Sequence, residues 1–144
     1  MLPKCNLPRV PDLPPSPVAY ERTLDGTLGL EVEEAGPERV RGRIAVSDKV
    51  RQPYGLVHGG VFASMAESLA SMATAMSVYD DGMIAVGLSN HTSFMRPITD
   101  GYVNCEGRAR HKGRSTWVWE LDFTDDDGRL CAISRVTMAV RPRP

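Results

Sequence analysis

The sequence predicts an α+β domain in which one long central helix is wrapped by an antiparallel sheet of about six strands. Three observations carry this expectation. Apolar residues Phe62, Met65, Ala66, Leu69, Met72, Ala73 and Met76 recur at three and four residues within a stretch from about 59 to 79, the spacing of one helix face. The segments on either side alternate with a period of two, as half-buried strands do. The later strand-like runs are joined by links of hairpin length, which favours antiparallel neighbours.

Each element follows from its residues. Residues 1–17 hold Pro3, Pro8, Pro11, Pro14, Pro15 and Pro17. Proline fixes φ and removes amide donors, so this stretch reads as an extended arm. The arm is placed at 1–24, with a single domain from 25 to 144. Residues 20–24 read as a short turn, and 27–34 as a strand paired through Gly36-Pro37 with 39–46. In the second of these strands Val40, Gly42 and Ile44 share one face, and Arg39, Arg41 and Arg43 the other, expected to be solvated. The helix then runs over 59–79 and stops at Asp80-Asp81-Gly82. Ala63, Ala70 and Ala75 make it nearly apolar all round, so it must be covered on most sides, with its methionines packed in the core. Strands follow at 84–94, 101–110, 115–124 and 130–140. In the third, Trp117, Trp119, Leu121 and Phe123 share one face, and Asp125-Asp126-Asp127-Gly128 is its turn into the fourth.

Composition excludes several functions. The chain has 144 residues, with 17 Lys and Arg against 18 Asp and Glu and a net charge of −1. No overall field draws it to nucleic acid or an anionic membrane. Cys5, Cys105 and Cys131 are odd in number and form no C-x-x-C pair, so neither a disulfide framework nor a zinc ribbon is encoded. Reduced thiols and a cytoplasmic location are the expectation. The N-terminus lacks the charged start and apolar run of a secretory signal. Residues 56–78 have the length of a membrane span, but Gly59-Gly60, five hydroxyl residues and Glu67 fit a buried helix better. No nucleophile elbow, P-loop, dinucleotide fingerprint or H-E-x-x-H is present, and no metal or cofactor is expected.

Two features of the helix point to chemistry. Glu67 is its only charged residue, and a lone carboxylate in an apolar helix is costly unless it is paired or hydrogen-bonded. It reads as a structural acid that faces an arginine of the sheet or snorkels to solvent, or as a reactive group. The helix opens at His58-Gly59-Gly60, where unpaired amides and the local dipole favour negative charge and glycine permits close approach. That is an oxyanion hole in outline, or simply a tight turn with a glycine cap. Gln52 is a further donor, and Ser71 lies one turn beyond Glu67. From Gly59 to Glu67 is about 12 Å along the helix, at 1.5 Å per residue. If both act on one carbon they come from two chains, and a two-fold dimer carries two such sites. Arg96, Lys112, Arg114 and Arg141 are candidates for an anionic substrate tail.

The run Gln52-Pro53-Tyr54-Gly55-Leu56-Val57-His58-Gly59-Gly60, followed by Ala66-Glu67-Ser68, resembles the hotdog-fold acyl-CoA thioesterases. It is closest to the PaaI-like group, which includes 1,4-dihydroxy-2-naphthoyl-CoA and 4-hydroxybenzoyl-CoA thioesterases with a helix glutamate. The similarity extends over about 25–140 and includes Asn90-His91, Lys112-Gly113-Arg114-Ser115 and Gly128-Arg129-Leu130-Cys131. It implies a long helix wrapped by an antiparallel sheet, and homodimers with shared active sites, commonly paired as tetramers. It implies hydrolysis of an acyl-CoA substrate, with an aromatic or related acyl group, to free acid and CoA. Glu67 would be nucleophile or general base, and the Gly59 amide would polarise the thioester oxygen from the other subunit. Gln52, His58 and Ser71 would place the reacting groups. Gly60, His91, Ser115 and Thr116 would line the substrate path, and Arg96, Arg114 and Arg141 would meet the nucleotide phosphates. A non-catalytic acyl-CoA-binding module and an acyl-thioester hydratase on the same fold are the alternatives.

Overall fold

The computed structural model describes residues 17–144. In chain order its elements are α1 (Leu24–Leu28), β1 (Leu30–Ala35), β2 (Arg39–Ala45), α2 (Gly59–Val78), β3 (Met83–Phe94), β4 (Tyr102–Lys112), β5 (Thr116–Thr124) and β6 (Leu130–Pro142). Single 3-10 turns lie at Tyr20–Arg22 and Asp48–Val50. The six strands make one antiparallel sheet in the order β1-β2-β4-β5-β6-β3. The helix α2 touches all six strands, so the sheet wraps it as expected.

Period-two patterning puts the core on one face of the sheet. Val40 and Ile44 of β2, Val103 and Cys105 of β4, and Trp117, Trp119, Leu121 and Phe123 of β5 are buried against Phe62, Met65, Leu69 and Ala73 of α2. One buried polar pair sits among them. Thr74 donates its hydroxyl to the Ala70 carbonyl (2.8 Å) and accepts the Trp119 indole N–H (2.9 Å), so neither group is stranded. The opposite face is charged. Arg39, Arg41 and Arg43 pair there with Glu106, Glu33 and Glu31, which makes this a solvated, ion-paired surface.

Four details depart from the sequence reading. Thr27 and Leu28 belong to α1 rather than to a strand. The Thr23 hydroxyl caps this helix by accepting the Gly26 N–H at 3.1 Å, and Gly29 closes it with φ 74°. The boundary drawn between 24 and 25 falls inside α1, and residues 1–16 of the proline-rich arm lie outside the described residues. The link 95–101, though short, joins β3 at one edge to β4 in the middle of the sheet and is no hairpin. The covering of α2 is also incomplete: Ala63, Ser64, Glu67, Ser68, Ser71, Met72, Ala75 and Met76 are only half-buried. So of the methionine stripe, Met65 is core while Met72 and Met76 lie on a half-open flank. By length and apolar composition α2 passes for a membrane-crossing helix, yet its other face is core.

Candidate active site

His58 starts α2. Its backbone is extended, its N–H donates to Val50 O (2.8 Å), and its carbonyl accepts the Val61 N–H (2.9 Å). Its ring Nδ1 accepts the Gly60 N–H at 2.8 Å, so the cap is the histidine side chain, with the glycines just inside the helix. The Gly60 amide is thereby committed. The Gly59 N–H has no acceptor among the described residues, and it opens the helix where the dipole favours an oxyanion. Gly59 has a second reason to be glycine: a Cβ there would stand 2.9 Å from Cζ of Phe94.

Beside this amide runs an apolar groove of about 470 Å³, walled by Leu56, Phe62, Phe94 and Met95, with Gln52 and Arg96 on its rim. Phe62 meets Phe94 edge-on at 5.8 Å and Phe123 at 5.4 Å, which fixes the inner wall. The Gln52 Oε1 accepts the Tyr54 N–H (2.7 Å). Its free polar group is therefore the amino donor.

Glu67 lies two turns further along, on the half-buried flank of α2. Among the described residues it has no cationic partner, so the pairing with an arginine is not found, and the half-buried side chain keeps access to solvent. Its carboxylate rests on β3. Oε2 accepts from Nδ2 of Asn90 at 3.4 Å, and Oε1 sits over Gly87, where a Cβ would be 2.0 Å away. Ser71 turns elsewhere, its Oγ 3.9 Å from the Met138 sulfur.

The remaining candidates gather at the other end of α2. Arg114 joins Ser77, Asp81, Lys112 and Trp117 around a second groove of about 490 Å³. Arg141 is tied to the carbonyls of Ser115 (3.0 Å) and Val140 (2.9 Å), which braces the start of β5 where Thr116 stands. His91 joins neither set. It projects from β3 onto the outer face of the sheet, beside Glu120, Asp122 and Arg135, because its neighbours Asn90 and Thr92 face the helix. No cluster of three or more His, Cys, Asp or Glu suited to a metal occurs among the described residues.

Gly87 and Phe94 escaped the sequence reading, and Asn90 entered it only within a similar segment. The cause is local. The register of β3 against β6 shifts between Gly87 and Ser89. Inward positions are odd up to Gly87 and even from Asn90 onward, so strict alternation does not find them.

One long helix in the grip of a six-stranded antiparallel sheet is the architecture of the hotdog fold. Residues 54–132 match the thioesterase superfamily, and the chain belongs to it. The 1,4-dihydroxy-2-naphthoyl-CoA hydrolase of Listeria monocytogenes is 35% identical over 120 residues, 83% of this chain and 97% of that one. The proofreading thioesterase EntH of Cronobacter turicensis is 36% identical over 118 residues, 82% of this chain and 85% of its own. Among solved structures, a variant of a Pseudomonas aeruginosa thioesterase superposes with TM-score 0.82 at 35% identity, covering 86% of this chain and 89% of that one.

Proposed function

We propose that the protein hydrolyses an acyl-CoA thioester, with an aromatic or related acyl group, to the free acid and CoA in the cytoplasm. The observation that carries this reading is Glu67: a carboxylate on an apolar helix, given a glycine to lie on and an amide donor, and without a counter-cation among the described residues. A reactive carboxylate must keep its lone pairs available.

The chemistry needs few parts. The thioester carbonyl oxygen accepts from the Gly59 N–H, which stabilises the charge that develops on it. The Gln52 amino group is a second donor beside it. Glu67 either takes a proton from the attacking water or itself attacks the carbonyl carbon. In the first case the carbon–sulfur bond breaks and CoA leaves as a thiolate that recovers that proton. In the second the thiolate leaves behind a mixed acyl–glutamyl anhydride. Water hydrolyses this to the free acid and Glu67, and a proton from that water goes to the thiolate. The aromatic wall of Phe62 and Phe94 suits a planar acyl group, as does the dihydroxynaphthoyl substrate named for the Listeria relative. His58 holds the Gly60 amide and so shapes the helix start. Ser71 stands near the water or acyl group, Ser115 and Thr116 flank the pantetheine path, and Arg96, Arg114 and Arg141 meet the phosphates.

In this reading the active site is shared across a homodimer, and dimers pair further into tetramers. Support comes from the 12 Å of helix, at about 1.5 Å per residue, between Gly59 and Glu67. It comes also from β3, which among the described residues is unpaired along its outer edge and exposes Val86 and Leu88. The test is thiol release from aromatic, short-chain and long-chain CoA esters, with Glu67→Ala as control. Turnover that falls about 10²–10⁴-fold in the variant supports the assignment, on the usual worth of a general base. Turnover unchanged by Glu67→Ala refutes it, and CoA-ester binding without thiol release favours a binding module.

A further inference from the structure

The strand facing Glu67 carries a hydrogen-bonded chain that ends on its carboxylate. Asn90 reaches from β3 to α2, where its Nδ2 donates to the Ala63 carbonyl at 2.8 Å and to Oε2 of Glu67 at 3.4 Å. The Ala63 carbonyl accepts only, so the group beside it must be the amino end, and the amide cannot be flipped. Its oxygen is then turned to Thr92, whose hydroxyl donates to Oδ1 at 2.9 Å. The single Thr92 hydrogen is thereby used. In the 2.7 Å contact between the Thr92 and Ser134 hydroxyls, Ser134 must therefore be the donor. Every donor in the chain points the same way: Ser134 to Thr92, Thr92 to Asn90, Asn90 to Glu67. Such aligned bonds polarise one another. Ser134 is buried on β6 and Thr92 half-buried on β3, so the far end of the chain is anchored in the sheet while Asn90 stands on the open flank.

We propose that Asn90 is a positioning residue that holds the Glu67 carboxylate against β3, and that Thr92 and Ser134 act on Glu67 only through it. The inference rests on the catalytic role proposed for Glu67. Asn90 acts through the Glu67 carboxylate. It fixes a glutamate that has three rotatable bonds and no ion pair among the described residues, by tying it to the turn of α2 that precedes it. Sequence patterning gives no hint of this, because the register shift in β3 brings Asn90 and Thr92 to the inner face. The Gly87 backbone supplies the floor of the same seat.

The test is the steady-state hydrolysis of benzoyl-CoA by the full-length protein and by Glu67→Ala, Asn90→Ala, Asn90→Asp, Thr92→Val and the Asn90→Ala/Thr92→Val double variant. Asn90→Ala should lower kcat about 10- to 100-fold with KM within about twofold, since a misplaced reacting group loses rate rather than binding. Asn90→Asp keeps the size but replaces the donor with a like charge, and should be slower still. Thr92→Val should cost about three- to tenfold alone and nothing further in the Asn90→Ala background, which a packing role for Thr92 would not produce. A wild-type kcat in Asn90→Ala, or a full Thr92→Val effect in the double variant, overturns the proposal. Failure of Glu67→Ala to reduce turnover is a different result and overturns the role of Glu67 itself. Crystal structures of Asn90→Ala and the wild type give a readout independent of turnover. The Glu67 carboxylate should leave β3 in the variant, and an unmoved carboxylate refutes the inference.

Discussion

Substituting Gly87 by alanine isolates the position of a carboxylate from the stability of the fold. A Cβ at residue 87 would lie 2.0 Å from Oε1 and 3.1 Å from Cδ of Glu67. Ordinary contact begins near 3.4 Å, so Oε1 must withdraw by at least about 1.4 Å. What moves is the free end of a flexible side chain, not backbone. Gly87 is not among the glycines with positive φ, so alanine fits the strand conformation. Removing glycine's freedom in the unfolded chain stabilises a protein by about 0.4–1 kcal/mol where the conformation is compatible. For a domain of this size that is a rise in Tm of roughly 1–4 °C. Activity should move the other way. A displacement of about 1 Å at a reacting group costs on the order of 10²-fold in rate, near 2.7 kcal/mol at 1.36 kcal/mol per decade. Thiol release and a thermal melt on the same sample therefore give opposite signs: kcat about 10²-fold down, Tm level or slightly up. A variant that melts like the wild type and keeps kcat within about threefold would refute the seat. Glu67 would then work from a position that β3 does not set.

Three other expectations follow from the geometry. Thr74→Val removes the acceptor of the Trp119 indole N–H in a fully buried site, which should cost about 1–3 kcal/mol, read as a lower Tm with kcat unchanged. On the outer face, Arg39 beside Glu106 and Arg135 with Arg110 beside Glu120 hold both carboxyls below their usual range through hydrogen bonds and charge. Depressed carboxyl values add stability that is complete above the unfolded-state value near pH 4.5 and disappears as pH falls through the lower folded-state values. Tm should thus fall below about pH 4.5, by a modest amount because these pairs are solvent-screened, and less steeply in Glu106→Gln/Glu120→Gln. For the shared site, Glu67→Ala mixed with Gln52→Ala should regain activity. About half of randomly exchanged dimers are mixed, and each mixed dimer restores one of its two sites, giving about a quarter of wild-type turnover. Activity that stays at the mean of the two variants would place the whole site within one chain.

Much of the fold was legible in the sequence, and the reason is visible in β5 and α2. Trp117, Trp119, Leu121 and Phe123 alternate without interruption, and the strand that carries them is central, regular and buried on that face. The helix residues recur at three and four over five turns, far beyond the few needed to fix a phase. Where the pattern was short or broken, the sequence was silent. A five-residue helix over Leu24–Leu28 has too few residues for periodicity, and only the Thr23 cap marks it. The bulge in β3 switches which residues face inward and so hid Gly87, Asn90 and Phe94. Glu67 stood out because a charge in an apolar run needs no phase to be seen. Its surroundings did not, because they come from a strand 20 residues later whose register only pairing with β6 defines.

What α2 leaves unsatisfied bears on the proposed dimer. Among the described residues its first amide has no acceptor, and its one carboxylate has a single long hydrogen bond and no counter-charge. Either would be a small defect in a finished core. Both lie on the half-buried flank of the helix beside β3, the strand at one end of the sheet order. They cannot relieve each other within one chain, because about eight residues of rigid helix, at 1.5 Å each, hold them apart. A two-fold axis beside β3 would run the two helices antiparallel and bring each start toward the middle of its partner. A carbonyl lodged between them would then meet a donor from one chain and a carboxylate from the other. In that arrangement the free Gly59 amide and the carboxylate without a counter-charge would be the two groups that the reaction uses, and the closed interface would keep bulk water from the thioester.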